Sequence, residues 1–101
     1  MPDAPDYEEA IGLLKINKDL GWALDNELRE KCRSLIDSKA VNLTIDLSAA
    51  THVCSANLVV LAYASALAAK QKKALKIIVS SQVSRAFRAA GLNEVIDIKV
   101  V

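Results

Sequence analysis

Four consecutive residues, Cys54-Ser55-Ala56-Asn57, include the side chains of this 101-residue chain that are best placed for chemistry. They follow a short polar stretch and open a long apolar run, so Ser55 is predicted to lie where a helix begins. A serine hydroxyl there can accept a hydrogen bond from an amide of the first helical turn. It also faces the positive end of the helix dipole, which would favour the charge of a phosphate. Position alone therefore leaves two roles for Ser55, a structural helix cap and a site of reversible phosphorylation.

Cys54 offers a rival chemistry, because a thiol beside a helix N-terminus can have a lowered pKa and react as a redox sensor or covalent catalyst. Neither a Cys-x-x-Cys motif nor an arginine at the spacing of a phosphate-binding cysteine loop accompanies it, which weighs against that role. Cys32 falls on the apolar positions of a predicted helix and is expected to be a small buried hydrophobe.

His52 is the single histidine of the chain, so a histidine metal site or a catalytic triad has no second member. We expect His52 to be a loop residue. An acid, a base and a nucleophile do not converge anywhere in the sequence. We therefore predict a protein that is not an enzyme and that holds neither a cofactor nor a metal.

Composition narrows the partners and the compartment. Lys and Arg together number 13 against 12 for Asp and Glu, so nucleic acid is not expected as a partner. The longest apolar run, 58–69, is shorter than the roughly 20 residues of a membrane-spanning helix, which argues against membrane insertion. Two cysteines are too few for a secreted disulfide framework, and no basic-then-apolar leader opens the chain, so a cytoplasmic protein is expected.

Alternating apolar residues predict strands, and apolar residues at helical spacing predict helices. The predicted strands are 10–16, 41–47, 74–79 and 95–101; the predicted helices are 22–38, 55–73 and a short one that Ser80 or Ser81 caps and Gly91 ends. Residues 1–9, which contain both prolines, are predicted to be a loosely ordered N-terminus, and residues 10–101 to form one domain. Because strands alternate with helices, we predict an α/β domain with parallel neighbouring strands.

Two of these segments also predict how the layers pack. Strand 41–47 carries Asn42, Thr44 and Asp46 on one side, so that side cannot lie against an apolar helix layer. The helices are therefore expected mainly on the other face of the sheet. Helix 55–73 has almost no polar stripe, so most of its circumference is expected to contact protein. The lysines at its end are expected to be solvated: Lys70, Lys72 and Lys73.

Five short motifs occur in order along the chain: TIDLS at 44–48, Ser55 opening an apolar helix, LKIIV at 75–79, SQVSRAFRAAGL at 81–92 and VIDI at 95–98. Their order and spacing resemble the STAS domain of bacterial anti-sigma factor antagonists, over about residues 11–98. The resemblance implies a single α/β domain with a mixed, mostly parallel sheet of four to five strands and with helices mainly on one face.

The resemblance also implies a function. In that family a serine at the start of the central helix is phosphorylated by a serine kinase that doubles as an anti-sigma factor, and a metal-dependent serine phosphatase removes the phosphate. Ser55 is the matching position. The expectation is thus a non-enzymatic regulatory binding module of a partner-switching pathway. The residues expected to meet the partner are Cys54, Ser55, Ala56 and Asn57, together with Asp46 and Trp22.

Two of these positions keep alternative roles. Asp46 ends a strand near the Ser55 turn, where it could hydrogen-bond loop amides or help to coordinate a cation in a complex. Trp22, at the start of the first predicted helix, could be a half-buried staple or an exposed anchor for a partner.

The chain departs from the family in four places. Cys54-Ser55-Ala56-Asn57 stands where the family commonly has Asp-Ser-x-Gly, and Lys18-Asp19-Leu20-Gly21 where it has Gly-x-Leu-Asp. Only Tyr7 to Glu9 could supply a first strand, and the usual last helix is missing after the final strand. Sheet or core surface could thereby be uncovered for a partner or for a second copy of the chain.

An alternative function follows from the same resemblance. The chain is also similar to the small STAS protein of bacterial lipid-transport ABC assemblies, which would make it a constitutive subunit of a larger complex. Recovery of an ATP-binding kinase in a pull-down would favour partner switching, and recovery of a transporter ATPase would favour the constitutive subunit.

Overall fold

A five-stranded sheet with three α-helices packed on one face forms the domain, in a computed structural model that describes residues 5–21 and 25–101. The strands are β1 Tyr7–Ala10, β2 Leu13–Ile16, β3 Asn42–Leu47, β4 Ala74–Val79 and β5 Asp97–Val100. The helices are α1 Asp25–Ile36, α2 Ser55–Lys70 and α3 Ser81–Ala89, and a 3-10 turn spans Leu92–Glu94. The strands lie in the order β1-β2-β3-β4-β5, with β1 antiparallel to β2 and the other neighbouring pairs parallel. This confirms the predicted fold class.

Alternation along the central strands decides which face of the sheet the helices cover. In β3 the side chains of Leu43, Ile45 and Leu47 are buried, whereas the residues between them are wholly or partly exposed. The same alternation in β4 is in register with β3, so the buried side chains of both strands join one core beneath the helices. The prediction that the helices lie on one face is therefore correct. We call the other face the open face of the sheet.

The N-terminal part of the sheet differs from the prediction. The expected strand 10–16 is instead a hairpin of β1 and β2, because Gly12 takes a left-handed conformation with φ of 72° in the turn between them. A Cβ atom at Gly12 would lie 2.7 Å from the carbonyl oxygen of Asn42, so only glycine fits there. Tyr7 to Glu9 form most of β1. The sequence placed these residues in the loosely ordered N-terminus, but it also marked them as the segment that could supply a first strand.

The C-terminal end of α2 is followed by Lys72 in a left-handed conformation and by Lys73, whose side chain contacts the end of α1. Lys72 has a φ of 60°, and the amide of Lys73 donates to the carbonyl of Ala68 at 2.9 Å. The ammonium of Lys73 donates to the carbonyl of Ile36 at 2.6 Å and to that of Ser38. The expectation of a solvated side chain is therefore wrong for Lys73, because its ammonium closes the C-terminal end of α1.

Lys72→Gly and Gly91→Ala should change stability in opposite directions. Both residues follow a helix, with φ values of 60° and 74°, and in this region a Cβ atom costs about 1 kcal/mol. Lys72→Gly should raise the free energy of unfolding by up to about 1 kcal/mol, and Gly91→Ala should lower it by a similar amount, in urea denaturation. Changes of the same sign would contradict this account of the two helix ends.

Candidate functional site

The carboxyl ends of the parallel strands form the edge of the sheet at which Ser55 lies. β2, β3 and β4 run in the same direction, so α1, α2 and α3, which follow them in the chain, all begin at this edge. Binding sites of open α/β sheets are commonly built there, outside the strand ends. We call this side of the molecule the loop edge.

Ser55 is the first residue of α2, and its side chain is exposed. It is not the cap that the sequence suggested. Cys54 holds the cap position, since its backbone is extended (φ −99°, ψ 168°) and its carbonyl accepts the first helical bond from the amide of Leu58 at 3.2 Å. Within the described residues the Ser55 hydroxyl has no hydrogen-bond partner. The hydroxyl is thus accessible and has no structural bond to lose.

Asn57 takes part in capping α2 by bonding the backbone of the cap residue, Cys54, whereas Ser55 was expected to accept from an amide of the first helical turn. The Asn57 Oδ1 accepts hydrogen bonds from the Cys54 amide at 2.9 Å and from the Cys54 thiol at 3.1 Å. Its Nδ2 donates to the carbonyl of Gly21 at 3.3 Å, which ties α2 to the loop before α1. Asn57 is 0% exposed, so its side chain cannot touch a partner in this conformation. Its predicted role in direct partner contact is therefore replaced by that of a positioning residue.

Asp19 also belongs to this site, although the sequence predicted no role for its side chain. Its Oδ1 accepts hydrogen bonds from the amides of Thr51 at 2.6 Å and His52 at 3.1 Å, and both of its oxygens lie 3.2 Å from the Thr51 hydroxyl. The two amides lower the pKa of the Asp19 carboxyl. Asp19 therefore fastens the β3–α2 loop to the loop after β2. In the sequence, Asp19 is only an acidic residue in a predicted turn. The contact with the β3–α2 loop depends on the topology, which the sequence does not show.

Ser80 fastens the same loop from the other side. It caps α3, accepting from the amide of Val83 at 3.2 Å, and its hydroxyl donates to the carbonyl of Ala50 at 2.8 Å. The sequence left the cap open between Ser80 and Ser81, and the structure assigns it to Ser80. Ser81 is the first residue of α3 and is exposed, in the same position on its helix as Ser55 on α2.

The remaining predicted site residues are divided between the two faces of the sheet. Asp46 lies on the open face, away from α2, and its Oδ1 accepts from the amide of Ser48 at 2.9 Å. It thus holds a loop amide, one of the two roles considered for it. Ala56 is half-buried beside Ser55. Trp22 lies outside the described residues.

Most residues of α2 are buried or half-buried, as expected, but one side of the helix presents apolar side chains to the surface. Val59 is 60% exposed and Tyr63 is 56% exposed, four and eight residues after Ser55, so all three lie in one row. The opposite side of the helix is buried and consists of Asn57, Val60, Leu61, Ala64 and Ala68. We call Ser55, Ala56, Val59 and Tyr63 the α2 surface.

A cleft between α1 and α2 adjoins this row. It has a volume of 210 Å³, and Tyr63 forms part of its wall. Cys32, Val60 and Leu67 are among its apolar lining, and Arg33 is among its charged lining. Cys32 is buried as predicted, and burial raises the pKa of its thiol to about 12. Burial therefore disfavours the thiolate, which is the form of cysteine that reacts as a nucleophile.

The chemical inventory of the described residues is short. They contain no group of three or more His, Cys, Asp or Glu side chains that could hold a metal ion. Over the same residues, no helix is both long and apolar enough to cross a membrane.

Comparison with known proteins identifies the fold. Neither a protein-family model nor a curated protein sequence matches the chain. Five chains of solved structures match it. One is a Thermotoga maritima protein described as a "putative anti-sigma factor antagonist", with a TM-score of 0.72 and 13% sequence identity over 94% of this chain and 84% of that one. The chain therefore has the STAS-like fold.

Removal of the Asn57 side chain should destabilise the domain far more than removal of the Ser55 hydroxyl. Asn57→Ala leaves the Cys54 amide and the Gly21 carbonyl without their partner, which should lower the free energy of unfolding by about 2 kcal/mol. Ser55→Ala removes an exposed hydroxyl without a bond and should change it by less than about 0.5 kcal/mol. Urea denaturation of both variants measures the difference; the reverse order would show that Ser55 is the cap.

The stabilisation by Asp19 should depend on pH. Because folding lowers its pKa, the ionised carboxylate stabilises the fold above its unfolded pKa of about 3.9, and this is lost as pH falls through the lower folded value. Wild type should therefore be more stable than Asp19→Asn near about pH 6, and the difference should shrink below about pH 4. Other carboxylates titrate in both proteins and cancel. A difference that stays constant between these pH values would contradict the assignment.

Proposed function

We propose that the chain is a non-enzymatic, cytoplasmic binding module of a bacterial partner-switching pathway, in which phosphorylation of Ser55 releases a bound partner. The observation that carries this proposal is the exposed, unbonded hydroxyl of Ser55 at the head of the apolar row Val59 and Tyr63. The fold supports it, because the similar solved structure from Thermotoga maritima is described as a "putative anti-sigma factor antagonist".

Ser55 suits a kinase because phosphorylation would break no bond of the native structure. A serine kinase that doubles as an anti-sigma factor would transfer the terminal phosphoryl group of ATP to the Ser55 Oγ, with loss of the hydroxyl proton. A metal-dependent serine phosphatase would hydrolyse the ester with water. The cap stays intact throughout, since Cys54 and Asn57 supply it.

The release must act mainly at the interface. A phosphate adds about −1.5 to −2 charges, and the first-turn amides of α2 would stabilise it by about 0.3 to 2 kcal/mol within the free domain. Conversion of a partner from mostly bound to mostly free takes about 5.5 kcal/mol. Most of that difference has to come from a phosphate placed where Val59 and Tyr63 contact the partner, since charge there loses water and meets apolar surface.

The same α2 surface supports a second candidate. A permanently exposed apolar row beside an apolar cleft would also suit a constitutive subunit of a larger assembly, such as a bacterial lipid-transport ABC complex. In that case the partner would bind regardless of charge at Ser55.

Ser55→Asp should weaken binding of the captured partner at least about tenfold, whereas Ser81→Asp should leave it unchanged. Ser81 is the matched control, because it is also an exposed serine at the first position of a helix on the loop edge. Both variants place a carboxylate at a helix N-terminus and should raise the free energy of unfolding by about 0.3 to 1 kcal/mol. A loss of binding by Ser55→Asp therefore cannot be attributed to unfolding.

The binding measurement uses the protein as bait in lysate of its native host, with mass spectrometry of the captured proteins and of Ser55 itself. An ATP-binding kinase captured by wild type and Ser55→Ala but not by Ser55→Asp, together with a phosphate on Ser55, supports partner switching. Equal capture of a transporter ATPase by all variants would overturn it in favour of the constitutive subunit.

A further inference from the structure

The outer edge of β5 is an unpaired sheet edge among the described residues. β5 is the last strand of the sheet and pairs on one side only, with β4. The amide of Val101 donates to the carbonyl of Val79 at 3.0 Å, so Val101 directs its backbone groups towards β4. Because backbone groups alternate in direction along a strand, Asp97 and Lys99 also turn theirs inward. The amides and carbonyls of Ile98 and Val100 therefore face outward.

The sequence around Ile98 has the same order of charged and apolar residues on both sides, with opposite charges at the two charged positions. Asp97 precedes Ile98 and Lys99 follows it, and two apolar residues flank them on each side, in the order Val95-Ile96-Asp97-Ile98-Lys99-Val100-Val101. Asp97 and Lys99 are exposed, and their register with Lys76 and Ile78 places both on the open face.

We infer that β5 pairs antiparallel with the β5 strand of a second copy of this chain, about a two-fold axis at Ile98. In this register each Ile98 exchanges two backbone hydrogen bonds with its partner, through the groups that face outward. Asp97 then stands opposite the partner's Lys99, in the closer, non-hydrogen-bonded type of pair, and the contact occurs twice. The two sheets become one sheet of ten strands. This inference goes beyond the proposed function and does not depend on it.

Other symmetric registers fail on charge and on backbone direction. A two-fold axis at Asp97 or at Lys99 would set like charges directly opposite each other, which is destabilising. It would also centre the pair on residues whose backbone groups are already turned to β4. An axis at Val100 is also centred on outward-facing groups, but it sets Lys99 opposite the partner's Val101, so the axis at Ile98 is the register that also pairs the opposite charges.

Val95, which is 71% exposed, lies in the turn before β5 with a helical backbone (φ −113°, ψ −15°), so it is not part of the paired strand. The exposed lysine of the strand, Lys99, fits the register. Natural edge strands often use a lysine to prevent association, because an unpaired ammonium is costly in a sheet contact. Here the partner's Asp97 supplies the opposite charge for Lys99. The lysine therefore favours pairing with β5 of a second copy over pairing with a strand that lacks this acid.

The association is expected to be reversible and dependent on concentration. A strand of four residues buries much less than the roughly 1,200 Å² of a stable interface. Sedimentation should therefore show a monomer–dimer equilibrium as the concentration rises from about 10 μM to about 1 mM.

Charge exchange provides the decisive test. Asp97→Lys alone and Lys99→Asp alone set like charges opposite each other twice, and each should raise the dimer dissociation constant at least about tenfold. The double variant Asp97→Lys/Lys99→Asp restores opposite charges and should return it to within about threefold of wild type. An equimolar mixture of the two single variants should form heterodimers, since their charges complement each other.

Backbone amides give an independent reading of the same register. In ¹⁵N spectra the amides of Ile98 and Val100 should shift with concentration and become protected from exchange, while those of Asp97 and Lys99 should not gain protection. Val100→Pro removes an outward amide and should abolish the dimer, while circular dichroism should show that the fold is kept. A wild type that stays monomeric to about 1 mM, or a dimer unaffected by the single charge variants, would overturn the inference.

Discussion

The carboxamide of Asn57 is the contact on which the start of α2 depends. It has no exposed surface, and both of its ends are engaged, with the Cys54 amide and thiol on one side and the Gly21 carbonyl on the other. A buried amide without partners is costly, so the loop before α1 and the first turn of α2 have to keep one relative position. Because Asn57 supplies the cap from inside, Ser55 is left on the surface with an unused hydroxyl.

Asp19 and Ser80 extend this fastening along the loop edge. The carboxylate of Asp19 holds the amides of Thr51 and His52, and the hydroxyl of Ser80 holds the carbonyl of Ala50. Three loops that follow three parallel strands are thereby linked through side chain to backbone bonds. In the proposed switch, a phosphate on Ser55 would meet a loop edge that is already bonded, so it would act on the docked partner rather than by rearranging the domain.

The sequence predicted the parts of this structure that depend on local periodicity. Strand β4 and the helix stop at Gly91 were placed correctly, because alternation and a left-handed glycine are local signals. The bond from Asn57 to Gly21 and the bonds from Asp19 to the β3–α2 loop were not foreseen, because each joins residues more than 30 positions apart that meet through the topology alone. The bond from Asn57 to the Cys54 amide is local, but the sequence pointed to Ser55 as the cap. The exposure of Tyr63 was missed for a related reason: an apolar helix does not reveal which of its sides the sheet will cover.

Pairing through β5 would leave the proposed switch free and change how it works. α2 packs on α1 and β4, whereas the second copy would pair with the outer edge of β5. The α2 surface therefore stays uncovered in each copy. A dimer then offers two copies of Ser55, and a bivalent partner would gain roughly 10² to 10⁴ in avidity from engaging both. Phosphorylation of one subunit would remove that gain together with the contact at its own site. A modest electrostatic effect at each Ser55 could in this way approach the large difference that release requires.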